Sequence, residues 1–335
     1  MTTPEGVSAA MRSDTPVRGA SNGATPPGPE RPGPDRPGAE NGAVLDIDRL
    51  EQQVDRWREE YRAAAPFPHI VLDDLLDPTV ARRAMHEFPP LDPAKWNSYV
   101  HANEHKFSQT DPATWGPTLQ SVLEMFQSPV FVSFLSRLTG IQDLIVDDAL
   151  EGGGLHQSVA GGFLNIHADF TVHPRHRHWR RRVNLLLYLN EDWEPEYGGD
   201  LELWGTDMKR CERKVAPIGN RAVVFTTDAN SYHGHPEPMQ CPAGVARQSL
   251  ALYYFTAEDH PMVRSTEYRA RPGDGAHAVV IFLDKYLLRV FDWSKRHLGL
   301  SDRTASALFT GIERVRHWLH MGRSVDRGGG TPHGH

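Results

Sequence analysis

Between Gly152 and Thr256 the chain is a series of short apolar runs, "VNLLLYLN", "DLELW", "RAVVFTT" and "SLALYYFT", separated by Gly, Pro and Asp. β-Branched and aromatic residues fill the runs and turn formers fill the breaks, so the pattern predicts short strands. Gly198-Gly199 marks a tight turn directly ahead of "DLELW". Several strands at this spacing predict a sandwich or barrel of the jelly-roll kind. From about Leu45 to Asp148 the pattern is mainly helical. Asp77-Pro78 and Ser128-Pro129 each join an N-cap to an N1 proline. The segments they open, "TVARRAMHEF" and "VFVSFLSRLTG", carry apolar residues at helical spacing. "FPHIVLDDLL" reads as a short strand ahead of the first. From about His277 the chain turns helical again. In "SDRTASALFTGIERVRHWLH", Ser301 is the cap, and Leu308, Ile312, Val315 and Leu319 share a face expected to pack on the parent core.

The fold expected is therefore α+β, a jelly-roll core flanked by N-terminal and C-terminal helices. Residues 1–44, with "RGASNGATPPGPERPGPDRPGAENGA", offer almost nothing to bury and are expected to be disordered. No apolar stretch follows the start as in a signal peptide. Residues 45–275 form one domain with its β core at about 152–256, residues 276–323 a C-terminal helical extension, and residues 324–335 a loose tail.

Composition narrows the function. A formal net charge of -7 argues against a general nucleic-acid binder, and no apolar run is long enough to span a membrane. Two cysteines, Cys211 and Cys241, make neither a disulfide framework nor a zinc site, which leaves a cytoplasmic enzyme as the expectation. Eighteen histidines direct attention to metal chemistry.

The chemistry starts at "NIHADF", residues 165–170. Side chains alternate along a strand, so His167 and Asp169 point to one side and Ala168 to the other. Alone, the pair is a solvated His and Asp on a strand edge. "SYHGHPEP" supplies His233 and His235, and "ARQSLALYYF" places Arg247 and Ser249 on one face of a further strand. Two histidines and a carboxylate make the facial triad of non-haem Fe(II) oxygenases, which leaves positions for a bidentate cosubstrate and O2. An arginine in the pocket suits planar recognition of that cosubstrate's far carboxylate.

With these motifs, residues 152–256 resemble the prolyl-4-hydroxylase-like group of 2-oxoglutarate/Fe(II)-dependent dioxygenases, and "PFPHIVLDDLLDP" looks like their entry segment. The resemblance implies a double-stranded β-helix core. It implies His167, Asp169 and His233 as iron ligands, and Arg247 with Ser249 beside it as the site of the far carboxylate of 2-oxoglutarate. It also implies Tyr188, in "LLLYLN", as a second cosubstrate contact, against which stands a core tyrosine. Fe(II) is the implied metal, 2-oxoglutarate and O2 the cosubstrates, and ascorbate an open addition. The reaction implied is oxidative decarboxylation to succinate and CO2 coupled to hydroxylation of an unactivated C–H bond in a small molecule or peptidyl substrate. Asp169 stands where related halogenases have a small residue, which favours hydroxylation over halogenation and leaves desaturation and ring closure open.

Two departures from the family pattern matter. The loop between the distal histidine and Arg247 is long, and "HGHP" offers two distal candidates; His233, at the expected strand entrance, is preferred to His235. The extension "TVHPRHRHWRRRVN" is read as a basic loop at the mouth of the site, formed by His173, His176, His178, Arg180, Arg181 and Arg182. Such a loop could steer an anionic substrate, and its histidines could bind a second metal. The alternative function is a cupin-like metal-binding barrel, a sugar-binding or isomerase protein, which would have no use for Arg247 and Ser249. Oligomeric state stays open.

Overall fold

Three of the described helices start where the sequence supplies a side-chain cap. The computed structural model describes residues 43–275 and 278–282; the Pro/Gly-rich segment up to residue 42, the segment after Ser301 expected to be helical and the tail lie outside them. Asp46 caps α1 (Ile47–Ala63), its carboxylate accepting from the Arg49 amide. The Asp77 carboxylate accepts from the amides of Thr79 and Val80 to start α2 (Pro78–His86). α3 (Pro117–Gln127) runs into Ser128, whose hydroxyl accepts from the Phe131 amide and starts α4 (Pro129–Thr139). Gly140, with φ 76°, ends that helix in the left-handed conformation that favours glycine.

Thirteen strands form one sheet. They are β1 (His69–Leu72), β2 (Asn97–His101), β3 (Glu104–Gln109), β4 (Ile145–Val146), β5 (Gly154–Ser158), β6 (Phe163–Ala168), β7 (Trp179–Tyr188), β8 (Leu201–Trp204), β9 (Cys211–Val215), β10 (Ala222–Thr226), β11 (His233–His235), β12 (Arg247–Ala257) and β13 (Glu267–Tyr268). The hydrogen-bonded order is β1-β10-β7-β12-β5-β3-β6-β11-β8-β9, with β2 on β3, β4 on β12 and β13 on β6. Side chains of β5 and β12 line the same cavity as side chains of β6 and β11, so the sheet curls until its two halves face each other. This is the jelly-roll core expected from the apolar runs.

The long strands bury both faces, which is why they read as continuous apolar runs. Outward, Val183, Leu185 and Leu187 of β7 and Leu250, Leu252 and Tyr254 of β12 pack with Leu50, Val54, Trp57 and Tyr61 of α1 and with α3 and α4. Each fully buried Leu there contributes about 1.5–3 kcal/mol. The inner face is polar where it meets the cavity. The β2–β3 hairpin is a correction to the helical reading of residues 45–148: Lys106 and Ser108 line a cavity, so no apolar alternation marks these strands. No helix among the described residues is long and apolar enough to cross a membrane.

Candidate active site

β6 and β11 pair antiparallel with His167 directly opposite His233, and their rings lie 4.5 Å apart. Asp169 follows β6 by one residue. Its Oδ1 is 3.4 Å from His167 Nε2, and its Oδ2 is 3.5 Å from His233 Nε2. His167 Nδ1 hydrogen-bonds the Asn165 carbonyl (2.9 Å) and His233 Nδ1 the Ser231 carbonyl (2.8 Å). A carbonyl only accepts, so each Nδ1 carries the proton and each Nε2 turns a lone pair inward. Burial, only partly opposed by Asp169, pushes His233 down to about 4, so it stays neutral at pH 7. Burial, the largest single influence, would raise Asp169, but the Arg181 guanidinium together with His233 and His167 outweighs it and holds the carboxyl well below the usual range. One donor atom from each of the three residues falls within 4.8 Å of the others. Two imidazoles oriented by backbone carbonyls, His233 among them neutral, beside an ionised carboxylate fit a divalent first-row metal. The His167–Asp169 pair is not a solvated strand edge, since its side chains are only 6% and 11% exposed.

Gly234 explains the spacing of "HGH". The register slips between His233 and His235, and a Cβ on Gly234 would lie 2.6 Å from the Leu164 carbonyl oxygen and 2.8 Å from that of Asn165. Only glycine lets β11 approach β6 this closely. His235 is buried too and shares a cavity with Arg247, but it stands outside the three-residue cluster.

Arg247, Ser249, Ala251 and Tyr253, alternate residues of β12, line one cavity with His167, Asp169 and His233. Arg247 is 7% exposed. Its Nε donates to the Gly199 carbonyl (2.7 Å) and its Nη2 to the Tyr188 hydroxyl (3.1 Å). Gly199, the second glycine of the expected turn, has φ 74°, and a Cβ there would sit 3.0 Å from Arg247 Cδ. Tyr188 is fully buried among Phe67, Val223 and Phe225. It stands behind Arg247, whose guanidinium lies 4.8 Å from its ring centre, and it is not among the residues lining the cavity.

The segment 173–182 differs from the expected basic loop. Arg180, Arg181 and Arg182 belong to β7. Arg180 and Arg182 both reach Glu258, and Arg175 pairs with Glu151. His173 is 1% exposed and faces Asp147 at 3.3 Å, while His176 stacks on Trp179. Among the described residues, His167, Asp169 and His233 are the cluster able to hold a metal, so the histidines of this segment form no second one. Sequence reasoning placed Arg181 in the basic loop and missed Asn184; both contact Asp169. Asn184, a lone polar residue in an aliphatic strand, was the available signal.

Residues 153–255 match the family model described as the 2OG-Fe(II) oxygenase superfamily. A search of the curated proteins finds no match. Among solved structures, a Pseudomonas putida prolyl-4-hydroxylase is 22% identical, with a TM-score of 0.43 over 62% of this chain and 98% of that one. A Trichoplax adhaerens prolyl hydroxylase, in complex with a hypoxia inducible factor peptide fragment, is 17% identical, with a TM-score of 0.47 over 62% and 91%. A prolyl 4-hydroxylase from Phytophthora capsici is 20% identical, with a TM-score of 0.46 over 88% and 94%. The family match leaves the cupin-like alternative without support. Residues 153–255 are a domain of the 2OG-Fe(II) oxygenase superfamily, and the chain that carries them is a 2-oxoglutarate-dependent oxygenase working with Fe(II) and O2.

Proposed function

We propose that the chain hydroxylates an unactivated C–H bond of a small molecule or peptidyl substrate. In this reading His167, Asp169 and His233 hold Fe(II), and Arg247 with Ser249 receives the far carboxylate of 2-oxoglutarate. One observation carries it. Arg247 is buried, opens into the cavity that holds the three candidate ligands, and has no acidic side chain within ion-pair distance among the described residues. A guanidinium withdrawn from water calls for an anion, and a cosubstrate carboxylate supplies it.

Bound Fe(II) would supply the O2-dependent oxidation that couples loss of CO2 from 2-oxoglutarate to hydroxylation of the substrate. The protein's part is placement. The Asn165 and Ser231 carbonyls fix the two imidazoles. Gly199 and Tyr188 fix the guanidinium before the cosubstrate arrives, which reduces the ordering cost of binding. The cosubstrate cavity and a second cavity, lined by Tyr99, Glu104, Glu151, Arg175, Thr266 and Tyr268, share His167 and Asp169. The second cavity is the natural approach for substrate. Glu151 and Glu258 already partner the nearby arginines, so nothing here assigns the substrate a negative charge. Both cysteines are free thiols, in keeping with a reducing compartment such as the cytoplasm.

The test is O2-dependent succinate formation by iron-loaded protein against a panel of metabolites and peptides. Stimulation by a panel member is expected, and absence of succinate throughout would overturn the reading. A paired substitution separates the distal histidines. His233→Ala should lose Fe(II) in equilibrium dialysis, whereas His235→Ala, outside the cluster, should retain it. Loss confined to His235→Ala would reverse the assignment.

A further inference from the structure

Three consecutive arginines follow Trp179 in β7, and strand alternation counted back from Asn184 would put Arg182 and Arg180 on its side of the sheet and Arg181 on the opposite side. The pairing with β12 shows otherwise. Tyr253 faces Asn184 and Tyr254 faces Val183, but Phe255 faces Arg181, so Arg182 is an extra residue at a β-bulge. The bulge turns Arg181 to the same side as Asn184, where it meets Asp169. Arg182 reaches instead to Thr256 and Glu258.

Arg181 is 1% exposed, and its surroundings are built around it. Its guanidinium carbon lies 3.3 Å from the ring centre of Tyr253 and 4.7 Å from that of Phe170. Its Nε donates to Asn184 Oδ1 (2.9 Å), which also accepts from the Thr227 hydroxyl (3.0 Å). Its Nη2 is in ion-pair contact with Asp169 Oδ2 at 2.9 Å, and Asn184 Nδ2 donates to that same oxygen at 2.9 Å. Oδ1 faces His167 alone, while Oδ2, beside its 3.5 Å approach to His233 Nε2, is also held by the nitrogens of Arg181 and Asn184.

We propose that Arg181, braced by Asn184, is a positioning residue that restricts Asp169 to giving a metal one oxygen. The inference rests on the ligand role proposed for Asp169. A carboxylate free to use both oxygens would take a second of six coordination positions. Three protein ligands and a bidentate cosubstrate leave a single position for O2, and a bidentate Asp169 would close it.

Co(II) is the probe, because its visible bands change intensity with coordination number and need no turnover. Arg181→Met keeps most of the side chain's length and its contact with the rings, but removes the charge and the donors. It should weaken Co(II) binding about 10–100-fold, the range for partners that orient a metal ligand, and change the band intensities. Arg181→Lys should recover part of both. An electrostatic role alone has the opposite sign, since removing a cation beside a metal tightens binding. Should Arg181→Met fail to fold, Asn184→Ala, which keeps the ion pair but removes one donor to Oδ2, decides by the same readouts. Wild-type band intensities with equal or tighter Co(II) binding in the deciding variant overturn the inference. Bands that survive His167→Ala would instead overturn the placement of the metal, and so the reading beneath it.

Discussion

Asp169→Ala is expected to abolish succinate formation and also to lower stability, a double effect that the sequence does not suggest. As a surface-accessible ligand, Asp169 could be lost without harm to the fold. The structure corrects that expectation, because the Asp169 side chain is 11% exposed and partners Arg181, itself buried, and Asn184. Breaking a buried ion pair by deleting one member costs about 3–5 kcal/mol, since the remaining charge is stranded. For a domain of this size that corresponds to a fall in Tm of roughly 6–20 °C. The carboxyl is held well below its ordinary range because Arg181, His233 and His167 together outweigh the opposing effect of burial. Its stabilisation is therefore complete at neutral pH and is lost only as the pH falls through the depressed value. Asp169→Asn keeps the volume and a carbonyl acceptor for Arg181, so it should regain part of the Tm while turnover stays absent. Thermal unfolding and succinate assays on the two variants check this. Full activity in Asp169→Ala would remove the three-residue metal site from consideration.

What could be read in the chain depended on whether burial was signalled by apolar residues. The strands around "VNLLLYLN" and "SLALYYFT" are buried on both faces, so they announce themselves. The helices after Asp77 and Ser128 were legible from their caps, which act locally. β2 and β3 were not, because their inward positions carry Lys106 and Ser108 for the cavity, and polar residues facing inward erase the period that identifies a strand. Arg181 was illegible for a different reason. Its direction depends on the extra residue Arg182 opposite Tyr254 and Phe255, a long-range register that no local pattern carries. Tyr188 had two readings, core residue and cosubstrate contact. In the structure its ring is buried and its hydroxyl accepts from Arg247 Nη2, an arrangement that a core role and a place beside the cosubstrate share. The expected C-terminal stripe of Leu308, Ile312, Val315 and Leu319 lies outside the described residues.

Arg247→Ala should raise the 2-oxoglutarate requirement at least about a hundredfold while leaving Fe(II) binding nearly unchanged. A buried carboxylate that loses its charged partner costs about 3–5 kcal/mol, and about 1.4 kcal/mol is a decade, so the range is roughly a hundred- to several-thousand-fold. A surface salt bridge is worth at most about 1 kcal/mol, a shift below about tenfold. Burial of Arg247 and the lack of an acidic partner among the described residues exclude that surface role before any assay. Arg247→Lys should recover only part of the loss. Its single ammonium has to choose between the Gly199 carbonyl, the Tyr188 hydroxyl and the incoming carboxylate, all of which the planar guanidinium can serve together. Titrating 2-oxoglutarate against turnover in both variants, with Fe(II) content measured in parallel, separates cosubstrate binding from metal loss. A shift below tenfold in Arg247→Ala would take the arginine out of the site. With it would go the observation on which the proposed function rests.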